Sequence, residues 1–206
     1  MGLVGFVQNF LRPNPCQVVP YTQTNWLRSR HSRQRLLPKL LIDCVFDVGA
    51  GQGGFGDQLR DTGYQGIILS FEPLRANFQA LSERATARPP WKAFPYLLGA
   101  QNGRAEMTID RETSNPFAKE TVEVRRLDSI FDECMTGIDS RRLYLKLDTP
   151  GLDLEALRGA DGVLENFLGV HSVGGFVASG PARRLAMFET DCISPGTYEL
   201  ARKARI

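Results

Sequence analysis

Apolar residues in this chain come in short runs punctuated by glycine and proline, and these runs alternate with stretches of helical period. Asp43-Cys-Val-Phe-Asp-Val48 is mostly apolar and ends at glycines. Such a run predicts a strand buried on both faces, as in a parallel sheet. Gly53 to Thr62 then carries Phe55 and Leu59 four apart, on one face of a helix. Gly66-Ile-Ile-Leu-Ser-Phe71 predicts a second strand. Pro73 suits the first turn of a following helix, where a missing N–H costs nothing. Leu74, Phe78 and Leu81 form that helix's apolar face, and Pro89-Pro90 lies beyond its end. Ala93 to Leu98 predicts a third strand. Gln101-Asn-Gly-Arg104 is a turn signal. Ala105-Glu-Met-Thr-Ile109 and Thr121-Val-Glu-Val-Arg125 alternate as half-exposed strands, with a polar loop over 110–120 between them. Leu127 to Phe131 predicts a short helix or turn. Leu143-Tyr-Leu-Lys-Leu147 predicts a strand ending at Asp148. Leu152, Ala156, Leu157, Ala160 and Leu164 make one helical stripe.

Strands that alternate with helices imply right-handed crossovers. The expected fold class is therefore α/β, a doubly wound and mostly parallel sheet. Residues 1–40, interrupted by Pro13, Pro15, Pro20 and Pro38, are expected to form an N-terminal arm: a short helix, a loop and a basic lead-in. Residues 41–206 are expected to form the α/β domain.

Composition narrows the class. The chain has 206 residues, 42% hydrophobic and 23% charged, which excludes a disordered tail or a collagenous repeat. A chain of this length buries roughly 70% of the surface its unfolded form exposes. No apolar run reaches the roughly 20 residues of a membrane-crossing helix. The opening MGLVGFVQNFLRPN has no basic residue before its apolar stretch, so it makes a poor signal peptide. The net charge of +2 does not point to a polyanion, and no nucleic-acid partner is expected. Arg28, Arg30, Arg33, Arg35 and Lys39 cluster around His31; they form either a solvated basic face or a contact for an anionic substrate or membrane surface. Cys16, Cys44, Cys134 and Cys192 make no CxxC pair, and with His31 and His171 they form no zinc pattern. Cys44 reads as a buried core thiol. Nothing indicates a disulfide framework, so a reducing, cytoplasmic compartment is expected.

The candidate chemistry lies in Asp47-Val-Gly49-Ala-Gly51-Gln-Gly53-Gly54, set between a strand and a helix. Glycine lets a backbone turn sharply and approach a ligand, and the carboxyl end of the first strand is where ligands settle in open α/β sheets. Glu72 ends the second strand about 20 residues on, where a carboxylate can take both hydroxyls of a ribose. The glycine spacing alone fits either G-x-G-x-x-G, a dinucleotide pattern, or G-x-G-x-G. Asp47 stands two residues before the first glycine. It either faces the cationic part of a ligand or bonds nearby backbone N–H groups. A carboxylate there would repel a pyrophosphate.

Val45-Phe-Asp-Val-Gly-Ala50, Phe71-Glu72-Pro73, Arg126-Leu-Asp-Ser-Ile130 and Leu145-Lys-Leu-Asp-Thr-Pro-Gly-Leu-Asp-Leu-Glu-Ala-Leu-Arg-Gly-Ala160 together resemble the FkbM family of methyltransferases, in order, from about residue 36 to residue 168. The resemblance implies a class I fold, S-adenosylmethionine as cofactor, and O-methylation of a sugar, glycan, lipid-linked or polyketide hydroxyl. By position it implies that Asp47, Gly49, Ala50, Gly51 and Gly53 line the cofactor, that Glu72 binds its ribose and that Pro73 flanks its adenine. Gly99-Ala-Gln101 would meet the adenine edge, with Gln101 as the side chain. Asp148 would face the transferred methyl group and the acceptor, as base or as orienting group; the bland expectation for it is a cap on the following helix. His171 is a second candidate base, or a satisfied, partly buried histidine.

The chain departs from the family pattern at three places. Gly51 stands where the family has Asn, and Pro150 where it often has Glu or Gln. The family also leads one to expect a strand near 168–173, then a helix and a closing hairpin. Residues 173–206 match none of this, so an incomplete C-terminal sheet edge is expected. Two other readings stay open: a nicotinamide-dependent oxidoreductase, and a non-catalytic α/β module binding an anionic partner through its arm.

Overall fold

The computed structural model describes residues 37–38, 40–109 and 118–172, together with the backbone of two further strands at 175–180 and 184–189. The expected N-terminal helix, the arginine cluster, the centre of the polar loop, Cys16 and Cys192 lie outside the described residues.

The first strand, β1 (Cys44–Val48), is buried at all five positions. It pairs in parallel with β2 (Ile67–Phe71) on one side and β7 (Leu143–Leu147) on the other. Strand β3 (Trp91–Phe94) adds in parallel to β2, and β8 (Phe167–Ser172) to β7. The sheet ends in two antiparallel strands, β9 (Gly175–Gly180) and β10 (Arg184–Glu189), giving the order β10-β9-β8-β7-β1-β2-β3. The unbroken apolar runs read from the sequence are thus the strands with neighbours on both edges and cover on both faces. The expected α/β, mostly parallel sheet is the fold.

Alternate residues of the central strands feed two cores. Phe46, Val48, Leu69, Phe71, Leu145 and Leu147 pack on one face, against α3 (Leu127–Cys134) and α4 (Asp153–Gly159). Phe46 sits at the centre of an aromatic group, 5.1 Å from Phe167 edge-on and 5.8 Å from Phe131. Phe46 and Phe167 are fully buried, and a ring so placed contributes about 1.5–3 kcal/mol. On the opposite face Val45, Ile68 and Tyr144 pack with Phe55, Leu59, Leu81 and Trp91, drawn from α1 (Gly54–Asp61), α2 (Arg75–Ala87) and β3. The predicted pair Phe55 and Leu59 is buried on α1, as its spacing requires.

Four expectations are corrected. The run Ala93–Leu98 is not one strand. Pro95 lacks an N–H and breaks the ladder, so β3 ends at Phe94 and β4 (Tyr96–Leu98) joins a separate sheet. That sheet has the order β4-β6-β5, with β5 (Gly103–Thr108) and β6 (Lys119–Arg125) as an antiparallel hairpin. Pro73 does not open α2, because the N-cap is Leu74 and the helix begins at Arg75. The stripe from Leu152 to Leu164 is two elements, α4 and a 3-10 segment, Asp161–Asn166. They divide near Gly159, where a side chain would lie 2.0 Å from the carbonyl oxygen of Gly99. Finally, the C-terminal edge is closed by the β9–β10 hairpin. Two residues separate β8 from β9, so no helix intervenes.

Candidate active site

Strand β1 delivers the chain to the glycine turn, and β2 holds the turn in place. The N–H groups of Gly49 and Ala50 both donate to the carbonyl of Phe71, at 3.0 and 3.1 Å. Gly53 N–H closes the turn on the carbonyl of Ala50 at 2.9 Å. Gly49, Gly51 and Gly53 all have positive φ, at 71°, 55° and 92°, a region that disfavours other residues. At Gly49 the need is also steric, since an added Cβ would lie 2.2 Å from the carbonyl oxygen of Asp148. Among the described residues, chain neighbours and helix backbone aside, no atom comes within 4 Å of an ideal Cβ position on Gly51 or Gly54. Among the described residues the turn is therefore packed at Gly49 and open at Gly51 and Gly54.

Glu72 is buried at the end of β2. Its Oε2 accepts from Gly51 N–H at 2.9 Å, and its Oε1 accepts from Leu74 N–H at 3.0 Å and from Asn77 Nδ2 at 3.4 Å. Its first task is to tie the glycine turn to the start of α2. A carboxylate has about four acceptor positions, which leaves it capacity for one further donor. Pro73 sits beside it, half-buried, just ahead of the N-cap.

Asp47 is fully buried, and its carboxylate is bonded to side chains of the two flanking strands. The sheet register sets Asp47 opposite Ser70 on β2 and opposite Lys146 on β7. Lys146 Nζ donates to Asp47 Oδ1 at 2.8 Å. Ser70 Oγ donates to Asp47 Oδ2 at 3.2 Å, and Trp91 Nε1 donates to Ser70 Oγ at 2.9 Å. Lys146 also lies 3.3 Å from Asp148 Oδ2 and 5.1 Å from the centre of the Phe55 ring. Burial alone would lower the pKa of the Lys146 ammonium, but the Asp47 and Asp148 carboxylates outweigh that and raise it.

Asp148 stands at the carboxyl end of β7, its N–H bonded to the Val48 carbonyl at 3.0 Å. Its side chain is 42% exposed. It does not cap α4, as the bland expectation had it. Asp153 organises that corner instead, accepting from Thr149 N–H at 2.8 Å, from Thr149 Oγ1 at 2.5 Å and from Ser172 Oγ at 2.5 Å. Pro150 is exposed beside it.

Gln101 is exposed in the turn between β4 and β5, and among the described residues no hydrogen bond joins that turn to the glycine loop. The turn is latched to α3 instead. Arg126 donates to the Ala100 carbonyl at 2.7 Å and pairs closely with Asp128. Arg126 N–H donates to Asn102 Oδ1 at 2.7 Å. Hydrogen bonding to Arg126 holds the Asp128 carboxyl below its ordinary value. This latch gives the Arg126-Leu-Asp-Ser motif its structural purpose. His171 lies opposite Lys146 in the backbone register of β8, and its side chain is outside the described residues.

The glycine loop, Glu72 and Asp148 thus converge at the carboxyl ends of β1, β2 and β7. Sequence reasoning missed Lys146, Ser70 and Trp91. Strand register would have found them, but it joins residues far apart in the chain.

An open parallel sheet with a glycine turn at the carboxyl end of its first strand defines a Rossmann-like nucleotide-site domain. Residues 47–173, more than half of the chain, match the family described as the methyltransferase FkbM domain. The chain belongs to this family and is a methyltransferase. No curated protein matches the sequence at a significant level. Among solved structures, a Staphylococcus aureus protein assigned as a caffeoyl-CoA O-methyltransferase aligns with a TM-score of 0.44 at 7% identity, over 84% of this chain and 67% of that one. A Plasmodium falciparum protein assigned as a protein-L-isoaspartate O-methyltransferase, solved with S-adenosyl-L-homocysteine, aligns with a TM-score of 0.38 at 9% identity, over 80% and 70% of the two chains. A fibrillarin/Nop5p complex aligns with a TM-score of 0.38 at 15% identity, over 79% and 60%. Among the described residues no helix is long and apolar enough to cross a membrane.

Proposed function

We propose that this methyltransferase uses S-adenosylmethionine to methylate a hydroxyl of a sugar, glycan, lipid-linked or polyketide acceptor, in a cytoplasmic setting. The observation that carries the reading is the glycine turn, open above Gly51 and Gly54 among the described residues and bounded by Glu72 and Asp148. The donor set suits a nucleoside with a cationic end: positive-φ glycines without obstructing side chains, one carboxylate at the end of β2, and a second at the end of β7. Gly49, Ala50, Gly51 and Gly53 would hold the cofactor through backbone, and Glu72 would take a ribose hydroxyl with its remaining acceptor position. Pro73 and Gln101 belong to the adenine side of this reading. Asp47 enters it only through Lys146.

When bound, the cofactor supplies an electrophilic methyl group on a sulfonium. The protein's task is to place an acceptor in line with that methyl group and to receive its proton. Asp148 is the half-exposed carboxylate at the carboxyl end of β7, and we assign it the orientation of the acceptor hydroxyl and the acceptance of its proton. Thr149 and Asp153 fix the turn that carries Asp148 into α4. The nicotinamide alternative gives way to family membership.

The test is calorimetry with S-adenosylhomocysteine on the wild type and on Glu72→Ala. Binding to the wild type, weakened in the variant by about 1.5–3 kcal/mol, is expected, the scale of hydrogen bonds to a charged group. Thermal stabilisation by a nicotinamide cofactor and none by S-adenosylhomocysteine would overturn the reading.

A further inference from the structure

Three charges meet around Lys146, and their arrangement assigns them different work. Lys146 is one cation between two carboxylates, 2.8 Å from Asp47 and 3.3 Å from Asp148. Asp47 is fully buried, and its other oxygen is taken by Ser70. A buried carboxylate needs a compensating cation, so Lys146 is committed to Asp47. Asp148 then carries the negative charge left over, and its side chain is 42% exposed. Among the described residues Lys146 is the one cation paired with it. The backbone of Asp148 also lies directly under Gly49, the first glycine of the turn. The other carboxylate of the crevice, Glu72, is engaged by two backbone N–H groups and Asn77.

We propose that Asp148 is the residue by which the crevice distinguishes a cationic donor from its neutral product, and that Lys146, anchored on Asp47, is the positioning residue that fixes Asp148 for this. The inference rests on the cofactor reading above. Methyl transfer turns a sulfonium into an uncharged thioether. A fixed carboxylate beside that sulfur favours the donor and releases the product, whereas one free to swing into solvent is screened and discriminates less. The Phe55 ring over the Lys146 ammonium and the Ser70–Trp91 chain behind Asp47 limit the tether's freedom. The raised pKa of Lys146 keeps the tether charged at neutral pH.

The experiment measures the affinities of S-adenosylmethionine and S-adenosylhomocysteine by calorimetry on four proteins. The wild type is expected to prefer the sulfonium. Asp148→Asn keeps the shape and removes the charge. It is expected to cut the ratio of the two affinities about tenfold, the scale of one partly screened charge contact, by weakening the sulfonium alone. The double variant Asp47→Asn/Lys146→Met removes one charge of each sign, so the crevice keeps its net charge and loses only the tether. It is expected to cut the ratio by about threefold, an intermediate loss from a mobile, more screened carboxylate. Lys146→Arg keeps charge and reach and is expected to stay near the wild-type ratio. An unchanged ratio in Asp148→Asn, or an equal loss of both ligands, would overturn the role of Asp148. A wild-type ratio in the double variant would overturn the role of Lys146. Failure of the wild type to bind either ligand would instead sink the cofactor reading itself.

Discussion

Helix α1 borders two clusters of charge of opposite character. Against its Phe55 ring lies Lys146 with Asp47, almost wholly out of water. On its outer side Asp57 and Asp61 meet Arg84 of α2 and Arg88 at that helix's C-cap, with the arginine side chains a third or more exposed. The outer cluster has more ion pairs, two of them at 2.6 Å, yet such pairs add little to stability because water and salt screen them. The inner pair carries a desolvation cost that well-packed apolar residues would avoid. A fold that needed only stability would have no reason to keep it. Its place, with Lys146 two residues from Asp148 and Asp47 two from Gly49, ties it to the crevice.

The sharpest test of this contrast is Lys146→Met, which leaves Asp47 buried without its cation. A loss of about 3–5 kcal/mol in urea unfolding is expected. A much smaller loss is expected when Asp47→Asn accompanies it, because the uncompensated charge is then gone. A single variant as stable as the wild type would erase the distinction between the clusters. Next in size is Gly49→Ala, which forces a side chain into left-handed backbone and against the Asp148 carbonyl. About 2–3 kcal/mol is expected from the same measurement, with loss of S-adenosylhomocysteine binding. Asp57→Asn removes the shared partner of Arg84 and Arg88. It should cost a little stability at low salt and nothing measurable in molar salt; an effect that survives salt would mean that the outer cluster is not merely screened surface charge. The smallest effect belongs to Asp128, whose carboxyl is held low by hydrogen bonding to Arg126. A depressed carboxyl stabilises the fold above its unfolded value and loses that contribution as it protonates. Asp128→Asn should therefore be less stable than the wild type at neutral pH. The two should converge as the pH falls below the ordinary value of 3.8, which chemical denaturation across pH would show.

The same contrast explains what the sequence could reveal. Strands β1, β2 and β7 were legible because being covered on both faces leaves a run of apolar residues with no alternation. The glycine turn was legible because its conformation is a local property of glycine. The place of Glu72 at the end of β2 was legible, though its work on Gly51 and Leu74 was not. Asp47 was read from its neighbours in the chain, and its true partners, Ser70 and Lys146, are neighbours only in the sheet. The need for glycine at 159 was hidden for the same reason, because the Gly99 carbonyl packed against it lies far away in the chain. Pro95 was in plain view, but a single proline inside an apolar run was not given its full weight.

That proline also bears on how the molecule behaves in company. Strand β3 ends the seven-stranded sheet, and one side of its backbone has no strand beside it among the described residues. Such a border is a template on which another copy could add a strand, and natural proteins keep it short or interrupted. Here it spans four residues and stops at Pro95, where the chain leaves for the smaller sheet. Replacing Pro95 with valine would lengthen the sticky border with a strongly strand-forming residue, so a substitution far from any chemistry would show itself first as self-association.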